Sequence, residues 1–218
     1  VRLSGVERKE LFIITRVSNR QQWSGNIKGA LAESLKKLKL DYVDLYLFHW
    51  PVPDAYLATW QEMEKLQKAG LARAIGVSNC HQPHLEALFE KASILPAANE
   101  FEIHPLMSQN ELVGFCRSYD IAVIAYTPIG RFHKKLAEND VLNSLSARKK
   151  ESIPQVILRW HFQRGIATIP RSLRFNHIKS NISIFDFELS AEEMARIDGI
   201  NENLRLRYDP DNCDFTKL

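Results

Sequence analysis

A histidine that could do chemistry directly follows the most apolar short run of the chain. Val43–Phe48 is almost wholly apolar and is followed by His49, Trp50 and Pro51. Such a run is typical of a strand buried on both faces, and a proline commonly marks the end of a strand. His49 is therefore predicted at the carboxyl end of a buried strand, where parallel α/β folds gather catalytic groups. The alternative is a structural histidine that bonds to the backbone, which for an isolated histidine is the commoner role.

Other polar side chains follow predicted strands in the same way. Ser78 and Asn79 could bind an amide group, or they could cap the next helix. Tyr126 ends a strand, where its ring could stack under a planar ligand or simply fill the core. The basic segment that follows the last strand suits a phosphate, because guanidinium forks bind phosphates well; the alternative is a solvated basic loop. That segment contains Arg171, Ser172, Arg174 and His177.

Metal and hydrolase chemistry find little support in the sequence. His81 and His84 stand three apart, and Glu102 and His104 form another short pair. A zinc site needs three or four ligands, so neither pair predicts one, and we expect no metal. A serine hydrolase of the α/β type would carry a G-x-S-x-G element, which the sequence lacks.

Composition points to an ordinary globular protein. The 218 residues carry a formal net charge of +3, which gives no case for binding nucleic acid. No apolar run approaches the length of a membrane span, so no membrane partner is expected, and the first residues given show no n-region, h-region and cleavage site. The three cysteines are widely spaced and fit neither a metal site nor a disulfide framework, which indicates a reducing cytoplasm.

Strands alternate with helices along the chain. Six strands are predicted, over residues 11–16, 43–48, 72–77, 97–103, 121–126 and 166–169. Helices are predicted over residues 27–38, 55–69, 83–92, 109–118, 154–164 and 175–184, the segment 140–149 leads into the fifth of them, and a last one begins after Ser190. Strict alternation implies a parallel sheet with right-handed crossovers. A doubly wound dinucleotide fold would carry G-x-G-x-x-G after its first strand, and none is present. We therefore favour an α/β TIM barrel, (β/α)₈, with about six of its eight βα units within the single domain 1–218.

Six segments in order resemble the aldo-keto reductase superfamily, most closely its small bacterial diketogluconate-reductase and prostaglandin-F-synthase-like members. They are the runs LFIIT (11–15), LDYVDLYLFHWP (40–51), IGVSN (75–79), NEFEIHP (99–105), AYTPIG (125–130) and IPRS (169–172). The resemblance spans residues 11–215. It implies an NADPH-dependent oxidoreductase that reduces aldehydes or ketones on a barrel, with the cofactor across the carboxyl ends of the strands.

The resemblance also implies roles for individual residues. It gives His49 the orientation of the substrate carbonyl, a task for which a neutral imidazole N–H is suited, and it places Trp50 in the substrate wall. It assigns Ser78, Asn79 and Glu100 to the nicotinamide carboxamide and Tyr126 to stacking under the ring. The other implied cofactor contacts are Thr127, Pro128, Ile129, Arg131, Arg171, Ser172, Leu173, Arg174, His177 and Asn181.

Several positions depart from the family pattern. Glu100 stands where glutamine is usual, and a carboxylate accepts from an amide but does not donate unless protonated. His177 replaces a usual arginine. Arg16 stands at the position of the catalytic lysine and keeps the positive charge on a larger, planar group; the alternative is a structural strand-end arginine.

Two further family residues, an aspartate and a tyrosine, would precede Val1. The chain is therefore expected to lack the N-terminal part of the family fold. This leaves open a second function, a catalytically impaired NADP(H)-binding or non-enzymatic barrel fragment. If the barrel is complete, we expect a monomer; if it is truncated, open sheet edges would favour self-association.

Overall fold

The structure is a computed structural model that describes residues 4–217, in which helices and strands alternate. The strands are β1 (Ile14–Val17), β2 (Val43–Phe48), β3 (Ala72–Ser78), β4 (Ala98–Glu102), β5 (Ala122–Tyr126) and β6 (Ala167–Thr168). The helices are α1 (Asn19–Ser24), α2 (Ile27–Leu38), α3 (Tyr56–Lys68), α4 (Gln82–Phe89), α5 (Asn110–Ser118), α6 (Lys134–Ala137), α7 (Asp140–Lys149), α8 (Ile153–Gln163), α9 (Phe175–Ile182) and α10 (Ala191–Asp198). The described helices include none long and apolar enough to cross a membrane.

The six strands form one parallel sheet in chain order, from β1 to β6. A doubly wound sheet would reverse its strand order at a switch point, so this topology favours the barrel alternative. In the register of the sheet, Arg16 pairs with Leu47 and Val17 with Phe48, and Phe48 pairs in turn with Val77. The first three strands therefore end at nearly the same level, and the residues that follow them share one edge.

One compact unit comprises the described residues up to Asn99 together with the tail from Pro210. Its core lies between β2 and α3, where Trp60 is 1% exposed and its indole N–H donates to the carbonyl of Ile94 at 3.1 Å. Gly76 allows β3 to run close to its neighbours, since a Cβ there would lie 2.6 Å from the carbonyl oxygen of Ala98. This packing fixes the strand ends of the unit.

A buried carboxylate anchors the opposite end of β2. Asp44 is 2% exposed and accepts from the Ile13 amide at 2.8 Å, while Arg8 and Arg73 lie 2.7 and 3.2 Å away. Both guanidinium groups also lie over the Tyr42 ring. Burial acts to raise the pKa of Asp44, but the Ile13 amide and the two arginines outweigh it and hold the pKa below its ordinary value.

The second compact unit runs from Glu100 to Asp209. Its main buried helix is α8, which begins with a capping box between Ser152 and Gln155. The Trp160 indole is fully buried and donates to an Asp198 carboxylate oxygen at 2.8 Å. The assignment of residues 1–218 to a single domain stays a prediction.

Most predicted elements lie within a few residues of the observed ones, and the differences have local causes. The first strand begins at Ile14 and not at Leu11, because the Ile13 amide donates to the Asp44 side chain and not to the backbone of the neighbouring strand. The last predicted strand shortens to the two residues of β6. Helices α1, α6 and α7 were not predicted.

Candidate active site

The proposed catalytic residues Arg16 and His49 and the proposed cofactor contact Ser78 lie at the carboxyl edge of three adjacent strands. Arg16 is next to last in β1, His49 directly follows β2, and Ser78 ends β3. The His49 amide donates to the carbonyl of Val17 at 3.0 Å, which extends the ladder by one bond. Arg16 pairs with Leu47, two residues before His49, and neighbouring strands lie about 4.8 Å apart, so the three residues share one edge of the sheet.

Asn79 fixes the backbone of this edge. Its φ is +60°, a left-handed conformation that asparagine tolerates better than most residues. Asn79 is 2% exposed, and its side-chain amide donates to the carbonyl of His49 at 2.9 Å. Asn79 therefore links the end of β3 to the residue that follows β2, and it holds the His49 backbone in place.

Ser78 offers a polar atom suited to a bound amide. The residue is fully buried, and its hydroxyl oxygen has no hydrogen-bond partner among residues 4–217. A buried hydroxyl without a partner is costly unless a ligand satisfies it. Ser78 thus fits a contact with the carboxamide of a nicotinamide cofactor.

Trp50 is held from two sides by residues that the sequence did not single out. The indole is nearly buried and packs edge-on against Phe215 of the tail, with ring centroids 6.3 Å apart. Its backbone carbonyl accepts from the side-chain amide of Gln22 at 3.0 Å. Helix α1, which carries Gln22, has a sequence signal in the capping box between Ser18 and Gln21, whereas the irregular tail gave none.

His81 and His84 lie beside Asp211 in the tail of the same unit. The His81 ring lies 2.6 Å from an Asp211 carboxylate oxygen. The Nδ1 of His84 accepts from the His81 backbone amide at 3.2 Å. Burial lowers the pKa of His84, and the Asp211 charge offsets part of that effect. These contacts account for the two histidines without a metal, and the absence of a resident metal stays a prediction.

In the second unit, Glu100 and Tyr126 lie on β4 and β5. Glu100 is 1% exposed, and Tyr126 is the half-buried last residue of its strand. Burial, followed by the Glu102 carboxylate, raises the pKa of Tyr126, so the phenol is neutral. A neutral, partly exposed ring suits stacking on a planar ligand.

The loop after β5 is held by a buried histidine. Thr127 and Arg131 both have φ of +52°, which is unusual for residues other than glycine. The Nε2 of His161 donates to the carbonyl of Pro128 at 3.0 Å. Burial lowers the pKa of His161 to about 3, so the imidazole stays neutral. His161 lies on α8, outside the loop. The bond therefore joins the loop to α8 and helps to maintain the conformation of residues 127–131.

The basic segment after β6 fits a phosphate group. Arg171 and Arg174 are exposed, and neither forms an ion pair with another described residue. Helix α9 begins after Arg174 without a side-chain cap on its first amides. Free guanidinium groups beside an uncapped helix N-terminus are suited to an anion. On α9 itself, His177 and Asn181 are four residues apart and so lie on one face.

Glu102 and His104, which the sequence offered as a weak metal pair, form a structural contact in the second unit. The His104 ring lies 3.0 Å from a Glu102 carboxylate oxygen. The same carboxylate accepts from the backbone amides of Leu206 and Arg207 at 2.8 and 3.0 Å. The carboxylate is therefore occupied in holding the segment before the tail.

Comparisons with known proteins identify the family. The model of the Aldo/keto reductase family matches residues 2–202. The chain is 44% identical over 215 residues to a glyoxal reductase of Bacillus subtilis, covering 99% of this chain and 77% of that protein. It is 38% identical over 213 residues to the methylglyoxal reductase DkgA of Yersinia pestis, covering 97% and 76% of the two chains.

A solved structure gives the same result for the fold. The aldo-keto reductase of Bombyx mori in complex with NADP superposes with a TM-score of 0.86 at 38% identity, covering 94% of this chain and 73% of that one. The predicted barrel fold with about six βα units is confirmed. The comparisons give no support to a catalytically impaired fragment, and they do not confirm that the chain is truncated. The chain belongs to the aldo/keto reductase family, and it is an NADPH-dependent oxidoreductase that reduces carbonyl groups.

Proposed function

We propose that the protein reduces small, reactive aldehydes that carry a second carbonyl next to the aldehyde, such as methylglyoxal. Two relatives that share most of this chain are named for the reduction of glyoxal and methylglyoxal. The observation that carries the proposal is the position of His49 directly after β2, where the Asn79 side chain holds its carbonyl, with Arg16 on β1 and Ser78 on β3 at the same edge of the sheet.

His49 is proposed to donate from its ring N–H to the carbonyl oxygen of the substrate. That bond strengthens as negative charge develops on the oxygen, so it favours the transition state over the ground state. Trp50 forms one wall beside the substrate. Arg16 supplies the positive charge that the family places near its proton donor, a tyrosine that the resemblance assigns to a position before Val1. NADPH, when bound, supplies the hydride.

The cofactor contacts follow the family pattern and are proposed in two groups. Ser78, Asn79 and Glu100 hold the carboxamide, and Tyr126 lies against the nicotinamide ring. The residues proposed for the pyrophosphate, the 2′-phosphate and the adenine are Thr127, Pro128, Ile129, Arg131, Arg171, Ser172, Leu173, Arg174, His177 and Asn181. We also infer a cytoplasmic location from the three widely spaced cysteines.

The substrate proposal is tested by NADPH oxidation at 340 nm with matched aldehydes. Methylglyoxal and propanal have the same number of carbons, but only methylglyoxal carries a second carbonyl. We expect kcat/KM for methylglyoxal to exceed that for propanal at least about tenfold, a difference of about 1.4 kcal/mol in transition-state stabilisation. Equal values would show that the adjacent carbonyl is not recognised.

A further inference from the structure

A cavity opens on the first unit, between α1 and the start of α3. Its volume is about 560 Å³, within the range of pockets for small organic ligands. Its wall includes Gln22, Trp23, Asp54, Ala58 and Glu62. The residues proposed for carbonyl reduction and for the cofactor do not line it, so this cavity needs a different explanation.

The cavity wall contains a buried hydrogen-bond acceptor. Gln22 is 3% exposed, and its side-chain nitrogen donates to the carbonyl of Trp50. Its side-chain oxygen, Oε1, has no partner within the described part of the chain. A buried amide oxygen without a donor is costly, so this atom favours a ligand that brings an N–H group.

The charges around the cavity favour a cation. Asp54 is exposed and forms no ion pair with any residue from 4 to 217. Glu62 contributes a second carboxylate, which also lies 2.6 Å from Lys65. The described lining includes no lysine, arginine or histidine. Because Lys65 compensates Glu62, Asp54 is the carboxylate of the described lining whose charge is unpaired, and it attracts a positively charged group.

One wall of the cavity is aromatic. Trp23 is 48% exposed, whereas the other three tryptophans, Trp50, Trp60 and Trp160, are at most 4% exposed. The indole face is the strongest aromatic partner for a cation, and it also covers an apolar group well. Ala58 adds a small apolar surface to the same cavity.

We propose that this cavity binds a small organic cation, a primary ammonium group carried on an aromatic or apolar body. The ammonium has three N–H donors, which match the Gln22 oxygen and the Asp54 carboxylate. The apolar body covers Trp23. The site lies outside the carbonyl-reducing edge and takes a ligand of different chemistry.

Acrylamide quenching of tryptophan fluorescence tests the proposal, because Trp23 is the accessible tryptophan. The probe is phenethylammonium, and the matched controls are 2-phenylethanol, which lacks the charge, and phenylacetate, which reverses it. Phenethylammonium is expected to protect Trp23 from quenching in a saturable manner, with neither control doing so at the same concentration. Equal protection by 2-phenylethanol, or no protection by phenethylammonium, would overturn the proposal.

Two variants show whether the carboxylate takes part. Asp54→Asn removes the charge while keeping a residue that tolerates the φ of +62° at this position. It is expected to weaken binding of phenethylammonium about fivefold, the upper end for an exposed ion pair, without changing carbonyl reduction. Asp41→Asn, at an exposed position outside the cavity, is the matched control and is expected to bind normally. Unchanged binding by Asp54→Asn, measured by calorimetry, would contradict the assigned site.

Discussion

The side-chain amide of Asn79 donates a hydrogen bond of 2.9 Å to the backbone carbonyl of His49. The bond joins the residue after β3 to the residue after β2, and it fixes the peptide that carries the proposed carbonyl-binding imidazole. Asn79 itself has a left-handed backbone at φ +60°, which asparagine tolerates better than most residues. The same residue therefore suits this backbone conformation and supplies the donor to the His49 carbonyl.

Asn79→Asp is expected to lower the free energy of unfolding by about 1–3 kcal/mol, because a carboxylate keeps the shape but cannot donate to the carbonyl of His49. Urea unfolding measures the loss. Asn139→Asp is the matched control: Asn139 caps α7 as an acceptor, and aspartate caps equally well. If the two variants unfold alike, the bond to His49 is not structurally important.

Arg174→Ala is expected to weaken NADPH binding while leaving NADH binding nearly unchanged. The lost charge-assisted bond to the 2′-phosphate is worth about 1.5–3 kcal/mol, roughly a tenfold to hundredfold change in Kd. Titration of cofactor fluorescence with both nucleotides gives the ratio. Arg20→Ala, at an exposed position on α1, is the control. An equal loss for NADH would place Arg174 away from the 2′-phosphate.

Asp44→Asn is expected to destabilise the protein in a pH-dependent way. The folded pKa of Asp44 lies below its ordinary value of 3.8, so its charge stabilises the fold fully above about pH 4. That stabilisation is lost as the pH falls through the folded pKa. We expect a deficit of about 1–3 kcal/mol at pH 7 that shrinks below pH 4.

Urea unfolding at pH 7, 5 and 3 measures this loss in the free energy of unfolding. Asp41→Asn, at an exposed position in the turn before β2, is the control and is expected to change stability by less than about 0.5 kcal/mol. A difference in the free energy of unfolding between Asp44→Asn and the unchanged protein that does not depend on pH would show that the charge of Asp44 is not the stabilising feature.

Arg16→Lys is expected to raise kcat for aldehyde reduction, because a compact ammonium restores the point charge that the family uses at this position. Arg16→Met, which removes the charge at similar length, is expected to lower kcat. Steady-state kinetics with saturating NADPH compare the two variants. A lower rate for Arg16→Lys would mean that the guanidinium fork is an adapted part of the site.

The sequence was most informative where a strand is buried on both faces. The bounds of β2 were predicted correctly because Val43–Phe48 is nearly all apolar and Pro51 follows. The position of His49 at the end of that strand followed directly. The same reasoning failed for residues 11–13, whose apolar side chains suggested a strand, because the Asp44 side chain, 31 positions along the chain from Ile13, captures the Ile13 amide.

Contacts from distant, irregular segments could not be predicted. The packing of Phe215 on Trp50 and the contact of Asp211 with His81 depend on how the tail folds back, and no periodicity marks that tail. Gln22 is different, because the capping box of α1 was visible in the sequence. Its bond to the Trp50 carbonyl, however, joins elements 28 positions apart.

The most direct test of the account is the rate of methylglyoxal reduction by His49→Gln, measured as NADPH oxidation at 340 nm. Glutamine keeps an N–H donor but not the imidazole geometry. We expect kcat/KM to fall at least about a hundredfold, with Kd for NADPH within about twofold of the unchanged protein. A rate for His49→Gln close to that of the unchanged protein would contradict the central claim that His49 binds and polarises the reacting carbonyl.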